Sequence, residues 1–450
     1  MSDSNDSSLV RSLSLTDAFS LVAGTIIGTG IFMKTAAMTQ TVGSAGYVML
    51  AWIVSGALSL SGAIVYAEIG SLYPQAGGEY VYLRESFGNF SAYIYGWTRL
   101  LIASPATIAA YAVGAASFLS GAIPVDAFGG ISTVAILFIV IFTVINCFAV
   151  MIGGRVQTFL TFLKIFLIIG LSILLFCSSH GTFSNFTEQS ENVRGWPGWS
   201  AFGAAMLAAL WAFDGWNNLP MVAGEVKNPQ RNIPLALIFG MIAVLFVYAF
   251  ANLAYFYILP NAEIVLSFSD TYPDALPVAT KAAQLVMGPS GIFVLSLMFV
   301  ISALGAMNGS VMTGARVPYA MAKDGLFMKI FESISPKGKV PVMSVLIQGG
   351  ISCLFALSGK FDQLTNYVVF SSWIFYALIT ASIFKFRKIH GPNHAGYKTW
   401  GYPWVPCVFI IVATFLLINT VYVSPKDSII GLGIIAAGIP FYFVFRKKLV

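Results

Sequence analysis

Charge is scarce in this chain. Of its 450 residues only 9% are Asp, Glu, Lys or Arg, where an ordinary soluble domain carries about 25%. A soluble fold of this length would lack polar groups to cover its surface. With 58% hydrophobic residues and a mean hydropathy of +0.82, the chain belongs in lipid. Cysteine is scarce too. Cys147, Cys177, Cys353 and Cys407 are scattered and form no CxxC pair, which argues against a disulfide framework or a thiolate metal site. The three histidines, His180, His390 and His394, all fall in predicted loops. A membrane-embedded enzyme needs a nucleophile with its base, or a metal cluster, at membrane depth. Neither pattern is present, so no enzyme, cofactor or metal is expected. A secretory signal is also missing: residues 1–13 are polar and rich in Ser, Asp and Asn, without a short apolar core and cleavage site. They read as a disordered cytoplasmic tail. The net charge of +6 is not gathered into one dense patch, so no nucleic-acid partner is expected.

What is abundant is long apolar sequence. Twelve segments long enough to span a bilayer run from 16–39 and 44–70 to 404–423 and 428–445. They are continuously apolar, not alternating at period two, and so predict helices and not a barrel. Lysine and arginine then set the orientation. With the N-terminus in the cytoplasm, 17 of the 24 basic residues lie inside and five (Lys34, Arg194, Lys281, Lys360, Lys426) outside, with Arg99 and Lys164 within spans. Both termini are therefore expected in the cytoplasm of a multi-pass protein of a cell (inner) membrane. Residues 71–89 are expected to hold a short helix packed under the bundle. A surface helix is expected around Pro277–Leu285. The basic run at 315–340 reads as a topology determinant.

Charge inside a span costs roughly 2.5–3.5 kcal/mol at a helix centre, so the few cases mark function. Arg99, Lys164 and Asp214 lie well inside predicted spans; Asp17 and Glu68 sit near span ends and are expected to reach the interface. Arg99, close to Tyr95 and Trp97, is also expected to snorkel. Lys164 is about 13 Å deep at 1.5 Å per residue, where snorkelling is strained. It reads as an ammonium facing the bundle interior, donating to carbonyls of a broken helix where a coupling cation would otherwise sit.

The break is legible in the first segment. Val22 to Phe32 contains Gly24, Gly28 and Gly30. Each glycine costs up to about 1 kcal/mol relative to alanine inside a helix. In a bilayer, freed backbone groups survive only where buried in protein or lining a cavity. A second break is expected in the sixth segment, at Leu210-Trp211-Ala212-Phe213-Asp214-Gly215-Trp216-Asn217-Asn218. Five segments separate the two, the pattern of paired five-helix inverted repeats with substrate held at the midplane. Half-helix N-termini offer N–H donors to a carboxylate, and freed carbonyls accept from an ammonium. An α-amino acid carries both groups on one carbon. Trp211 and Phe213 flank the second break as gate candidates, and Asp214 is placed to orient a polar or cationic substrate group.

Several stretches together resemble the amino acid–polyamine–organocation superfamily: Gly24 to Phe32, Trp211 to Asn217, Gly224 to Pro234, Tyr73 to Tyr80, and Asn308-Gly309-Ser310 with Arg316 to Gly325. The closest likeness is to the L-amino acid transporter branch, including bacterial members. The resemblance implies an all-α membrane protein of twelve transmembrane helices with a LeuT-type 5+5 inverted repeat, discontinuous at helices 1 and 6. It implies a transport core over 14–400 (repeats 14–180 and 195–388), with 401–450 supplying helices 11 and 12 and a basic tail. Carried over by position, Ile26, Gly28, Thr29 and Gly30 meet the substrate backbone. Trp211, Phe213, Asp214 and Gly215 complete and gate the pocket, and Lys164 replaces a sodium site. The implied activity is sodium-independent exchange by alternating access, of small or medium neutral L-amino acids. The alternative is a proton-coupled symporter, or an exchanger that also accepts cationic amino acids, because Asp214 stands where several large-neutral carriers have a small residue. Animal members that pair with a glycoprotein heavy chain carry a cysteine in the loop between helices 3 and 4. Residues 119–132 have none, so no disulfide-linked heavy chain is expected.

Overall fold

A computed structural model describes residues 9–148, 150–188, 195–269, 271–272, 275–358, 361–391, 396–423 and 425–446. Most of the expected disordered tail, together with Arg194, Lys360, His394, Lys447 and Lys448, lies outside these residues.

The described residues are helical apart from loops and one backbone bridge, Leu13 with Val226. The helices are α1 (Leu15–Ile26), α2 (Gly30–Val42), α3 (Ala45–Leu72), α4 (Glu79–Phe87), α5 (Asn89–Thr98), α6 (Ser104–Ser120), α7 (Gly130–Phe148), α8 (Val150–Phe176), α9 (Trp199–Ala212) and α10 (Asn218–Met221). They continue as α11 (Pro229–Ile258), α12 (Asn261–Val265), α13 (Val278–Met287), α14 (Ser290–Gly314), α15 (Arg316–Lys323), α16 (Val342–Ser358), α17 (Phe361–His390), α18 (Trp404–Val423) and α19 (Pro425–Arg446). A π turn, Arg99–Ala103, joins α5 to α6.

Among the described residues, ten helical stretches are long and apolar enough to cross a bilayer. Two further expected spans fall short for identifiable reasons. The sixth is cut after Ala212, leaving α9 as its 14-residue first part, and α16 has only 17 residues. Helices that are apolar all round must be buried or face lipid. Here α1, α6 and α14 form the interior, while α7 and α18 turn Leu137, Val140, Val408, Ile411 and Ile418 outward. α1 packs against α8, α11 and α14, and α2 against α9, so the first broken helix lies at the centre. The 71–89 stretch holds α4, and α13 occupies the place of the expected surface helix.

Three charged residues depart from expectation. Glu68 does not reach the interface. It is fully buried and accepts from Arg387 through both carboxylate oxygens at 2.8 Å and from the Thr399 amide at 2.5 Å. Arg316, from the basic run expected to lie in a cytoplasmic loop, is buried. Its guanidinium meets Glu225 at 2.8 and 3.2 Å, both side chains buried, and also donates to the Met312 carbonyl. Arg99 does not snorkel: it is buried and donates to Asn218 Oδ1 at 2.9 Å. In each case a hydrogen-bonding partner from a distant part of the chain makes burial tolerable.

Candidate functional site

The first break is three residues long. α1 ends at Ile26, capped by the Ile27 amide on the Ala23 carbonyl, and α2 begins at Gly30. Ser14 and Asp17 form a capping box at the start of α1, and Asp17 also accepts from Thr158 on α8 at 3.0 Å. The far end has no such closure. Thr29 stands at the N-cap of α2 without a side-chain cap bond, and its Oγ1 is buried without a partner. Because the first turn of a helix leaves unsatisfied N–H groups with partial positive charge, this end is suited to a carboxylate.

The second break runs from Phe213 to Asn217, between α9 and α10. Gly215 adopts φ +120°, a conformation that side chains rarely tolerate. It also lies against the first break: a Cβ there would stand 3.0 Å from the Thr25 carbonyl carbon. Gly30 permits the other close approach, since a Cβ on it would meet Ala212 Cβ at 2.4 Å and Cα at 2.6 Å. Glycine in these segments therefore serves contact between the two interrupted helices as well as freedom of the chain.

Three hydroxyls gather at the junction. Tyr248 Oη, from α11, lies 2.9 Å from both the Ile26 and Ala212 carbonyls. Tyr111, from α6, donates to the Thr25 carbonyl at 3.1 Å. Ser302, from α14, reaches the Ile27 and Gly28 carbonyls at 3.2 and 3.0 Å. Lys164, from α8, donates to the carbonyls of Gly24 at 2.6 Å, Ile27 at 2.5 Å and Ser302 at 3.2 Å. The ammonium thus ties the end of α1 to α14, and Gly305 leaves it room: a Cβ there would lie 3.3 Å from Nζ.

The residues expected around the second break divide in two. The Trp211 ring lies 5.8 Å from that of Tyr111, beside the first break. Phe213 turns away into the bundle, 5.8 Å from Trp52 and 5.1 Å from Tyr248. Asp214 is buried and accepts from Tyr376 of α17 at 2.7 Å. Beyond it lies a polar cluster that sequence reasoning missed. Glu79, fully buried at the start of α4, accepts from Tyr66 at 2.7 Å, Asn217 at 3.0 Å and Tyr95 at 2.5 Å. The π turn carrying Arg99 was a further signal, visible only in the backbone, since such turns often sit at functional sites. Tyr111 and Tyr248 left no sequence signal in a chain with 14% aromatic residues.

An apolar helical bundle in which two interrupted helices face each other, with a buried ammonium bracing the first break against a third helix, has the architecture of a membrane carrier. The chain belongs to the amino acid permease family of the amino acid–polyamine–organocation superfamily, whose sequence model matches residues 13–445. It is similar to the serine/threonine exchanger SteT of Bacillus subtilis (strain 168), with 32% identity covering 98% of each chain. It is also similar to the b(0,+)-type amino acid transporter 1 of Mus musculus (30% identity, 97% of this chain and 88% of that one). The cystine/glutamate transporter of Homo sapiens is 29% identical over 97% of this chain and 85% of its own. The protein is accordingly a multi-pass membrane protein of a transporter family.

Proposed function

We propose that this protein is a sodium-independent exchanger of small or medium neutral L-amino acids, working by alternating access. Its twelve helices would form a 5+5 inverted repeat over 14–388, with 401–450 as a peripheral pair and both termini in the cytoplasm of the cell membrane. The observation that carries the reading is the Lys164 ammonium between the Gly24, Ile27 and Ser302 carbonyls. A sodium ion bridging the first break to α14 would need those same oxygens. A covalently attached cation makes the bridge permanent and removes the need for the ion.

The substrate carboxylate would meet the amides at Gly28, Thr29 and Gly30, with the orphaned Thr29 hydroxyl beside them. The ammonium would meet carbonyls of the second break. Ile26, Trp211, Asp214 and Gly215 would complete this site, with Phe213 packed behind it against Trp52 and Tyr248. Small neutral substrates are favoured because the two breaks approach within van der Waals distance at Gly30 and Gly215, and because the SteT relative is named for serine and threonine. No disulfide-linked heavy chain is needed in this scheme.

A proton-coupled carrier is the second reading. It is favoured by the same Lys164, a fully buried amine that donates to three neutral carbonyls. The test is a trans-stimulation screen in proteoliposomes, using twenty labelled amino acids in sodium-free buffer. Stimulation by serine, threonine or alanine at equal pH on both sides supports exchange. Accumulation that needs a pH gradient and no internal substrate supports coupling.

A further inference from the structure

Two adjacent asparagines join the second break to α10, and each is gripped by a buried charge from outside the interrupted helices. Asn217 Nδ2 donates to Glu79 Oε2 at 3.0 Å. Asn218 Oδ1 accepts from Arg99 at 2.9 Å and lies 3.2 Å from Thr313 Oγ1 of α14. Glu79 is itself fixed by Tyr66 and Tyr95. Arg99 opens the π turn. The space among Glu79, Arg99 and Tyr376 is about 10 Å³, no more than a single water needs, so bulk solvent does not weaken these bonds.

The grip is strong on one side and incomplete on the other. A buried guanidinium meets a neutral amide where a carboxylate would bind it about twice as strongly. Arg99 Nε and Asn217 Oδ1 are both buried without partners. A permanent structural tie would satisfy these atoms. A tie that must open in each transport cycle is better left short of full strength, because α10 has to move relative to α4 and the π turn when the site changes sides.

We infer that Glu79 and Arg99 are positioning residues that hold α10 through Asn217 and Asn218 as a releasable latch, whose strength sets the turnover rate. This rests on the transport reading above. The latch does not touch the substrate, so its strength should act on turnover and not on apparent affinity.

The test uses full-length protein in proteoliposomes, measuring KM and maximal rate of serine exchange, with melting temperature in detergent measured in parallel. Asn218→Asp supplies Arg99 with a carboxylate. The expected result is a raised melting temperature, a maximal rate lowered about tenfold and an unchanged KM. Glu79→Gln removes the charge from the other grip. The expected result is a lower melting temperature with a maximal rate equal to or above that of the unaltered protein. A stabilised Asn218→Asp protein with normal turnover would overturn the inference. So would failure of that variant to accumulate, since it would mean that Arg99 cannot accept the new partner, and so would slower exchange by Glu79→Gln at unchanged KM. If the unaltered protein exchanges no amino acid, the transport reading itself fails, a result distinct from either variant's behaviour.

Discussion

Lys164 and Ser302 reach the same backbone carbonyl, that of Ile27, from two different helices, Nζ at 2.5 Å and Oγ at 3.2 Å. That carbonyl is freed by the first break. Its two partners make the broken end of α1 a fixed point between α8 and α14.

Replacing Lys164 by alanine removes three donated hydrogen bonds at once. A buried acceptor left without a partner costs about 1–3 kcal/mol, and the serine hydroxyl can recover only part of this. The variant should exchange labelled amino acid at least about tenfold more slowly and melt at a lower temperature in detergent. Unchanged exchange kinetics would remove Lys164 from the mechanism.

Gly30→Ala introduces a Cβ 2.4 Å from Ala212 Cβ. The neighbour is close to backbone and cannot rotate away, so the two breaks must separate. Overpacking of this kind costs about 1–3 kcal/mol. Reduced melting temperature and weakened substrate affinity are expected together. Paired substitution of Ala212 by glycine should restore both in part, as measured by counterflow and thermal unfolding.

The buried pair of Arg316 and Glu225 joins α14 and α15 to the chain that follows α10. Glu225 also accepts from the Ser12 and Leu13 amides through its backbone at 2.9 Å, so one residue secures both the N-terminal segment and the second broken helix. Breaking such a pair leaves an uncompensated charge, at about 3–5 kcal/mol. Glu225→Gln should lower the melting temperature by more than Arg84→Gln, whose ion pair with Asp324 is partly exposed. Equal effects would show that burial does not govern this pair.

Asp214→Asn keeps the size of the side chain and its bond to Tyr376 while removing the charge. Expression and melting temperature should stay near those of the unaltered protein. The ratio of exchange with cationic amino acids to exchange with neutral ones should fall. A ratio unmoved by the substitution would place the determinant of side-chain preference elsewhere.

Both interruptions were legible in the sequence because glycine in a lipid-buried helix needs a reason. Lys164 was legible because its depth exceeds the reach of its side chain. Arg99 and Glu68 were misread by that same measure. Distance along a segment says how far a charge lies from the interface, but not which partner faces it. The partners here, Asn218 accepting from Arg99 and Arg387 donating to Glu68, lie 119 and 319 residues away. Arg316 was taken for one of many loop cations because its partner, Glu225, is 91 residues distant. Tyr111 and Tyr248 act through one hydroxyl each. Nothing in an apolar helix distinguishes an aromatic that caps a carbonyl from one that only packs.

Exchange without sodium follows from the Lys164 bridge proposed above. It is tested most directly by loading proteoliposomes with labelled serine, at equal pH and in choline buffer, and following efflux with and without unlabelled serine outside. Rapid efflux is expected only when outside serine is present, unchanged when sodium replaces choline. Efflux that proceeds equally well into empty buffer, or that requires sodium, would contradict it.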